Sequence, residues 1–229
     1  MRLAYLTLIG ILAWALPAQA RSPVIVELYT SQGCGACAEA GKVIDQLAAR
    51  DDLLALTFSV DYWDYLGWSD TFARPEFAER QRSYAAQWPR QAIFTPQVVV
   101  GGRGQTRADK TPEIERIVRR ARVPDGAGPA IRLRPGRVTV EAATTPLAHS
   151  ADIWLIRYDP APQDVEVKRG ENAGRTLTYR NVVRELINVG QWNGRRATYP
   201  LPAAKRDGLT SVVIVQKAGG GQVLAVSGD

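Results

Sequence analysis

Cysteine, histidine and methionine are scarce in this chain, whose 229 residues include two cysteines, one histidine and one methionine. Two cysteines exclude a scaffold held together by several disulfides. One imidazole excludes a multi-zinc protein and any site that needs several histidines. The cysteines are Cys34 and Cys37, and this Cys-x-x-Cys pair is the first candidate for chemistry.

Strong charge imbalance is also missing. Lysine and arginine outnumber aspartate and glutamate by 29 to 23, the arginines are scattered, and no recognition motif is present, so we expect no nucleic-acid partner. An apolar fraction of 45% excludes a disordered chain. Beyond residue 20 no apolar run approaches the roughly 20 residues of a membrane span, so we expect no stable membrane insertion of the mature chain.

The one long apolar stretch opens the chain. Residues 1–20 carry a positive Arg2, an uncharged apolar stretch, Pro17 and the small-x-small sequence Ala18-Gln19-Ala20. This is the pattern of a cleaved secretory signal peptide, which predicts export. In an oxidising compartment a Cys-x-x-Cys pair can rest as a disulfide.

Residues 21–123 alternate between strand and helix patterns. An apolar run at 24–29 predicts a buried strand, and apolar residues at helical spacing predict a helix over 35–50. Strand–helix–strand order implies parallel pairing, whereas Gly101-Gly102 implies an antiparallel hairpin. We therefore predict an α/β domain with a mixed four-stranded sheet and flanking helices.

The pattern changes after residues 124–129, whose two glycines and two prolines predict a linker. Residues 130–229 contain short strand patterns separated by turns, which predict a C-terminal all-β domain of sandwich type. Residues 181–189 fit a strand or a helix. The sequence at 168–175 predicts a hairpin turn, although its basic residues and glycines are also compatible with anion binding by backbone N–H groups.

The predicted helix makes the two thiols unequal. Cys34 lies at its N-terminus, where unpaired N–H groups and the macrodipole lower the pKa of a thiol. Cys37 lies one turn later on the apolar face, where it is shielded and can attack a mixed disulfide formed at an exposed Cys34. We predict Cys34 as the nucleophile and Cys37 as the resolving residue, with no cofactor beyond their disulfide.

Two alternatives use the same cysteines. A purely structural disulfide over so short a loop would add only about 2 kcal/mol and would join positions already adjacent on one helix. Two thiolates would suit copper(I), whereas zinc would need further ligands. We predict no metal site, and copper(I) enters only with the alternative of a binding protein.

Thr95 and Pro96 directly precede the third predicted strand, where a proline is expected at a strand start or after a cis bond. The Cys-x-x-Cys pair and this Thr-Pro, in this order of elements, resemble the thioredoxin fold over about residues 23–122. The resemblance implies that Pro96 is cis and faces the disulfide. It also implies that Thr95 and Pro96 border a substrate groove beside Cys34.

Thioredoxins also carry a buried carboxylate near the resolving cysteine. Glu27 lies near that strand position, one residue further from the first cysteine. If it points inward, Glu27 would accept the proton of Cys37 during resolution; otherwise it is a solvent-facing strand glutamate. Gly35-Ala36 between the cysteines lacks the usual proline, and Gly33 replaces the usual tryptophan, so oxidant and reductant both stay open.

Four stretches are similar to domain-of-unknown-function family 1223, a family of secreted bacterial thioredoxin-like proteins. They are VELYTSQGC at 26–34, VDYWDYLGW at 60–68, TPQ at 95–97 and GENAGRTLTY at 170–179. The chain is identified as a member of that family. This implies export to the bacterial periplasm or the medium and names no activity.

The stretch at 60–68 combines aromatic rings with two carboxylates. Such a density of rings outside a periodic element suggests a binding surface, or else a plug between the two halves. The candidate binding residues are Asp61, Tyr62, Trp63, Asp64 and Trp68.

These patterns predict an exported thioredoxin-like thiol–disulfide oxidoreductase. Its partners would be thiol- or disulfide-containing proteins or small thiols. The alternatives are a periplasmic copper(I)-binding protein that uses the same cysteines and a non-catalytic scaffold whose aromatic loop binds a partner.

Overall fold

The computed structural model describes residues 22–89, 91–124 and 126–228, so the signal peptide predicted at 1–20 lies outside the described residues. The strands are β1 (Val24–Thr30), β2 (Leu53–Ser59), β3 (Gln97–Val100), β4 (Gly104–Arg107), β5 (Ile131–Arg134), β6 (Arg137–Val140), β7 (Ala151–Asp159), β8 (Gln163–Glu166), β9 (Thr176–Tyr179), β10 (Val182–Trp192), β11 (Ala197–Pro200), β12 (Thr210–Lys217) and β13 (Val223–Gly228). The helices are α1 (Ala40–Ala48), α2 (Pro75–Ala85) and α3 (Thr111–Ala121), with 3-10 turns at Gly35–Cys37 and Asp64–Leu66. Within these described ranges, no helix is long and apolar enough to cross a membrane.

Eight strands form one mixed sheet in the order β13-β12-β7-β10-β2-β1-β3-β4. Its N-terminal part follows the prediction, since β1 and β2 are parallel, β3 is antiparallel to β1, and β4 returns antiparallel to β3. The C-terminal strands join this part at β2, which pairs in parallel with β10. The protein is therefore a mixed α/β structure with one large sheet.

The pairing of β2 with β10 joins the two halves of the chain. Val182 pairs with Thr57, the Thr57 amide donates to the Asn181 carbonyl at 3.0 Å, and Asn181 Nδ2 donates to the Ala55 carbonyl at 2.8 Å. Without β10, the edge of the buried strand β2 would present unpaired N–H and C=O groups. The prediction of a separate all-β domain thus differs from the structure, because the C-terminal strands extend the sheet that the N-terminal half begins.

Helices cover both faces of the N-terminal part of the sheet. Helices α1 and α3 pack on the face that carries Val26 and Leu28 of β1. Helix α2 packs on the opposite face, where its Phe77 shares a core with Tyr29. Because side chains alternate along a strand, Glu27 shares the face of α2.

A three-stranded sheet, β11-β6-β5, covers one face of the C-terminal part. Val138 of this sheet packs in one core with Ile153, Trp192 and Val213 of the large sheet. The packing has the two layers of a sandwich, but the larger layer is shared with the N-terminal half. The segment 181–189, which fitted two states, belongs to strand β10 from Val182 onward.

Gly128, in the connection predicted as a linker at 124–129, packs against the large sheet. A Cβ at Gly128 would lie 2.1 Å from the carbonyl oxygen of Leu224 in β13, so glycine alone allows this approach. The halves are therefore in close contact at this crossing as well as along β2 and β10.

Candidate functional site

The cysteine pair lies just beyond the end of β1. Cys34 and Cys37 form a disulfide with Cα atoms 5.3 Å apart, and both are buried, with exposed fractions of 2% and 4%. The prediction of an exposed Cys34 is therefore wrong for the oxidised protein, because other segments cover it.

The helix predicted over 35–50 begins later than expected. Gly35–Cys37 forms a 3-10 turn, Cys34 makes no side-chain capping hydrogen bond, and α1 begins only at Ala40. Gly35, a weak helix former, opens the 3-10 turn that precedes α1. The dipole of α1 therefore acts beyond Cys37 and not at Cys34.

Thr95 lies beside Cys34, where the resemblance implied a groove. Its hydroxyl donates to Cys34 Sγ at 3.3 Å and accepts a hydrogen bond from Trp63 Nε1 at 2.6 Å. The Thr95-Pro96 bond is cis. The structure thus brings together Cys34, the Thr-Pro pair and Trp63 of the aromatic loop at 60–68. Trp63 donates to Thr95, and Thr95 donates to the sulfur of Cys34.

Glu27 is buried, but its contacts lie on the face of α2. Its two carboxylate oxygens accept from Arg80 Nε at 2.8 Å and Arg80 Nη2 at 2.9 Å, from Tyr29 Oη at 2.8 Å and from Tyr84 Oη at 2.6 Å. Cys37 leads into α1, which covers the other face of β1. A shift of one residue along a strand turns the side chain to the opposite face. The contacts of Glu27 make it half of a buried ion pair and do not support its predicted role as proton acceptor for Cys37.

The aromatic loop divides into anchored and exposed residues. Trp68 Nε1 donates to Gln32 Oε1 at 2.9 Å, and Tyr62 Oη donates to Gln81 Oε1 at 3.1 Å. Asp64 Oδ1 accepts from the amide of Asp70 at 3.1 Å.

Tyr65, in contrast, is the large apolar side chain that stands out in solvent, with 77% exposed. Among the described residues, the Asp61 side chain forms no hydrogen bond or ion pair. A binding role for the loop stays a prediction. Trp68 bonds to Gln32 in the turn at 32–37 that carries the disulfide, called the disulfide turn below, and Trp63 bonds to Thr95 beside Cys34.

A segment from the C-terminal half covers the disulfide. We call Gly170–Arg175 the capping segment; it lies in the connection between β8 and β9. Asn172, fully buried, donates through Nδ2 to the carbonyl oxygens of Gln32 at 3.0 Å and Cys34 at 2.9 Å. Glu171 Oε2 accepts from the amide of Gly35 at 2.7 Å.

The sequence predicted a hairpin turn in this region, with an anion-binding segment as the alternative, and gave no indication that it contacts the cysteines. Its partners are backbone groups of Gln32, Cys34 and Gly35, which carry no side-chain signal. The one available signal was that 170–179 belongs to the stretches that carry the family resemblance.

Asp70 is a buried carboxyl group that bonds to the disulfide turn. Its carboxylate accepts from the amides of Gln32 at 2.8 Å and Phe72 at 2.9 Å. Burial nevertheless raises the pKa of Asp70 from 3.8 to about 6. The folded protein therefore binds this proton more tightly than the unfolded chain does.

We expect Asp70 to make the fold less stable as the pH rises from 4 to 7. A raised carboxyl pKa contributes stability that is complete below the unfolded pKa and is lost as the pH rises through the folded pKa, here by about 2 kcal/mol. The measurement is the difference in unfolding free energy between the native protein and Asp70→Asn across this range. Asparagine offers one acceptor where Asp70 offers two, which adds an offset that does not vary with pH. Parallel pH profiles for the two proteins would contradict the assignment.

The described residues, which omit 1–21, 90, 125 and 229, hold no cluster of three or more His, Cys, Asp or Glu side chains arranged for a metal ion. The sulfurs of Cys34 and Cys37 are joined to each other. They would become copper(I) ligands only after reduction, since the metal is bound by thiolates.

Residues 25–216 match the protein family described as "Protein of unknown function (DUF1223)". The chain belongs to this family. It is also similar to the crystal structure of protein AGR_C_4864 from Agrobacterium tumefaciens, with 29% identity, a TM-score of 0.72, and 92% of this chain and 95% of that one covered. HBP35 of Porphyromonas gingivalis shares 10% identity with a TM-score of 0.60 over 91% of this chain and 75% of that one, a likeness of fold alone. No curated protein matches the chain significantly.

Proposed function

We propose that this protein is an exported thiol–disulfide oxidoreductase with a thioredoxin-like core, in which Cys34 exchanges disulfides and Cys37 resolves them. The observation that carries the proposal is the hydrogen bond from Thr95 Oγ1 to Cys34 Sγ. The order β2-β1-β3-β4, with helices on both faces, supports the thioredoxin-like core. The substrates we propose are proteins or small molecules that carry thiols or disulfides.

The hydrogen bond distinguishes the two sulfurs. A hydroxyl donor stabilises a thiolate far more than a neutral sulfur, because hydrogen bonds to charged groups are stronger. Thr95 donates to Cys34, and Trp63 N–H donates to Thr95 in turn, which orients the hydroxyl toward sulfur. Cys34 is thus the better-stabilised thiolate, as a nucleophile requires.

In the oxidising direction, a substrate thiolate attacks Cys34 Sγ. A sulfur–sulfur bond forms between substrate and Cys34, and the Cys34–Cys37 bond breaks, leaving its electron pair on Cys37 Sγ, which takes a proton from water. A second substrate thiolate then attacks the substrate sulfur of this mixed disulfide and expels Cys34 as a thiolate. The substrate gains a disulfide and the protein becomes a dithiol; the reverse sequence reduces a substrate.

The test is to trap the mixed disulfide. We expect reduced Cys37→Ser to form a stable glutathione adduct at Cys34 when mixed with glutathione disulfide, because no resolving thiol remains. Cys34→Ser is the matched control, and its adduct at Cys37 should form at least about tenfold more slowly, since Cys37 has no comparable donor. Mass spectrometry after acid quenching measures both rates.

Two results would contradict the proposal. One is an equal rate of adduct formation, or none, in the two variants. The other is a reduced native protein that withholds copper(I) from a competing chelator but does not accelerate the reduction of insulin disulfides by dithiothreitol.

A further inference from the structure

The capping segment places a carboxylate next to Cys34. Glu171 Oε2 lies 2.7 Å from the amide nitrogen of Gly35, the residue that follows Cys34 in the chain. A Cβ on Gly35 would lie 2.8 Å from Glu171 Oε2 and 3.3 Å from Glu171 Cβ, so a larger residue there would require the Glu171 side chain to move. The first residue between the cysteines is thus shaped to admit a side chain from the other half of the protein.

The neighbours of Glu171 fix its position. Asn172 is fully buried and bonded to two backbone carbonyls of the disulfide turn. Arg175 Nη1 donates to Asn172 Oδ1 at 3.1 Å, and Arg175 Nη2 lies 3.6 Å from Glu39 Oε1 at the start of α1. The capping segment is therefore attached on both sides of Cys34, and the Glu171 carboxylate is held in place.

Two groups of opposite effect therefore flank Cys34. The Thr95 hydroxyl donates to its sulfur and favours a negative charge there. The Glu171 carboxylate takes up the neighbouring amide donor and adds a negative charge of its own, and a like charge raises the pKa of a thiol. Charged groups near this turn include the carboxylates Asp70, bonded to the Gln32 amide, and Glu39, and the cations Lys42 and Arg175, which pair with Glu39.

We propose that Glu171 is a positioning residue that disfavours the Cys34 thiolate and so makes the disulfide a weaker oxidant. The inference rests on the proposed exchange function and assigns a role to the C-terminal half, which supplies this residue to a site built by the N-terminal half. Reduction of the disulfide would place a Cys34 thiolate one residue before the amide that binds this carboxylate. Repulsion between the two charges opposes reduction and lowers the reduction potential.

Glu171→Gln is the decisive variant. Glutamine keeps the size of the side chain and an oxygen that can accept from Gly35, but it removes the charge. We expect the pKa of the Cys34 thiol in the reduced protein to fall by about one unit, a value that allows for the partial exposure of Glu171. At a pH above the pKa of the Cys34 thiol in both proteins, the equilibrium with glutathione should shift about tenfold toward the dithiol, which is about 30 mV for a two-electron couple. Thiolate absorbance against pH and a glutathione redox titration measure the two quantities.

Glu79→Gln is the matched control, because it removes the same charge from an exposed pair with Arg82 on α2, and Glu79 bonds to neither the capping segment nor the disulfide turn. It should leave both quantities within twofold of the native values. The inference is overturned if Glu171→Gln also stays within twofold, or if exchange slows while the potential is unchanged, which would make Glu171 a proton acceptor instead. These results are separate from the trapping experiment: adducts at Cys34 with an unshifted potential leave the exchange function standing and remove only the role of Glu171.

Discussion

Replacing Arg80 with leucine should destabilise the fold by about 3–5 kcal/mol, the cost of leaving a buried charge without its partner. Glu27 is fully buried and accepts two hydrogen bonds from the Arg80 guanidinium. Burial raises the pKa of Tyr29 and of Tyr84, so both hydroxyls stay protonated and still donate to Glu27, but they cannot neutralise its charge. Urea unfolding of the oxidised protein, with equal m-values required for comparison, measures the loss.

Two further variants show whether the ion pair is the cause. In the double variant Arg80→Leu with Glu27→Gln the stranded charge is gone, so the loss should be smaller by at least about 2 kcal/mol than the sum of the single losses. Arg107→Leu removes an exposed, solvent-screened ion pair with Asp109 and should leave the free energy of unfolding close to the native value. A loss at Arg80 as small as the loss at Arg107, or additive single losses, would show that the buried pair does not stabilise this fold.

The N-terminal part of the fold could be predicted because its signals are local. The apolar run that became β1, the helical spacing around Ile44 and the Gly101-Gly102 hairpin each specify structure within a few residues. The pairing of Val182 with Thr57 joins segments far apart in the chain through backbone groups. Hydrophobic periodicity predicts a strand but not the strand with which it pairs. A strand pattern in the C-terminal half is therefore equally consistent with a separate domain.

The candidate site divides in the same way. Cys34, Cys37, Thr95 and Pro96 follow from short motifs whose chemistry is readable from residue types. Glu27 shows the limit of such a prediction, because it lies one residue away from the strand position of the thioredoxin carboxylate. A shift of one residue along a strand moves a side chain to the opposite face of the sheet, where it meets other partners.

Glu171 and Asn172 show a different limit. Their partners are amides and carbonyls next to the cysteines, and such groups are present at every position of every sequence. A side chain that bonds to the backbone therefore requires no particular residue type at the partner position, so the sequence there gives no sign of the contact. Gly35 is an exception, because its lack of a side chain leaves room for Glu171.

Asn172→Ala should both destabilise the protein by about 2–3 kcal/mol and make its disulfide easier to reach. The carbonyl oxygens of Gln32 and Cys34 lose the donor that they share, and an unsatisfied buried acceptor costs about 1–3 kcal/mol. The same contacts attach the capping segment over Cys34, so their loss favours local opening of that segment over global unfolding. Reduction by dithiothreitol, under conditions where the native protein reacts slowly, should become about tenfold faster.

The rate and the stability of Asn172→Ala have to be separated, and Arg80→Leu serves that purpose. It lowers global stability by as much or more while leaving every contact of the capping segment in place. If access to Cys34 is governed by the capping segment, Asn172→Ala reacts faster than Arg80→Leu at equal unfolding free energy, set by adding urea to the more stable variant. If the two rates coincide at equal stability, reduction proceeds through global unfolding and the segment does not control access. A faster rate in Asn172→Ala alone therefore means that the C-terminal half determines when the cysteine pair can react, as Glu171 determines how strongly it oxidises.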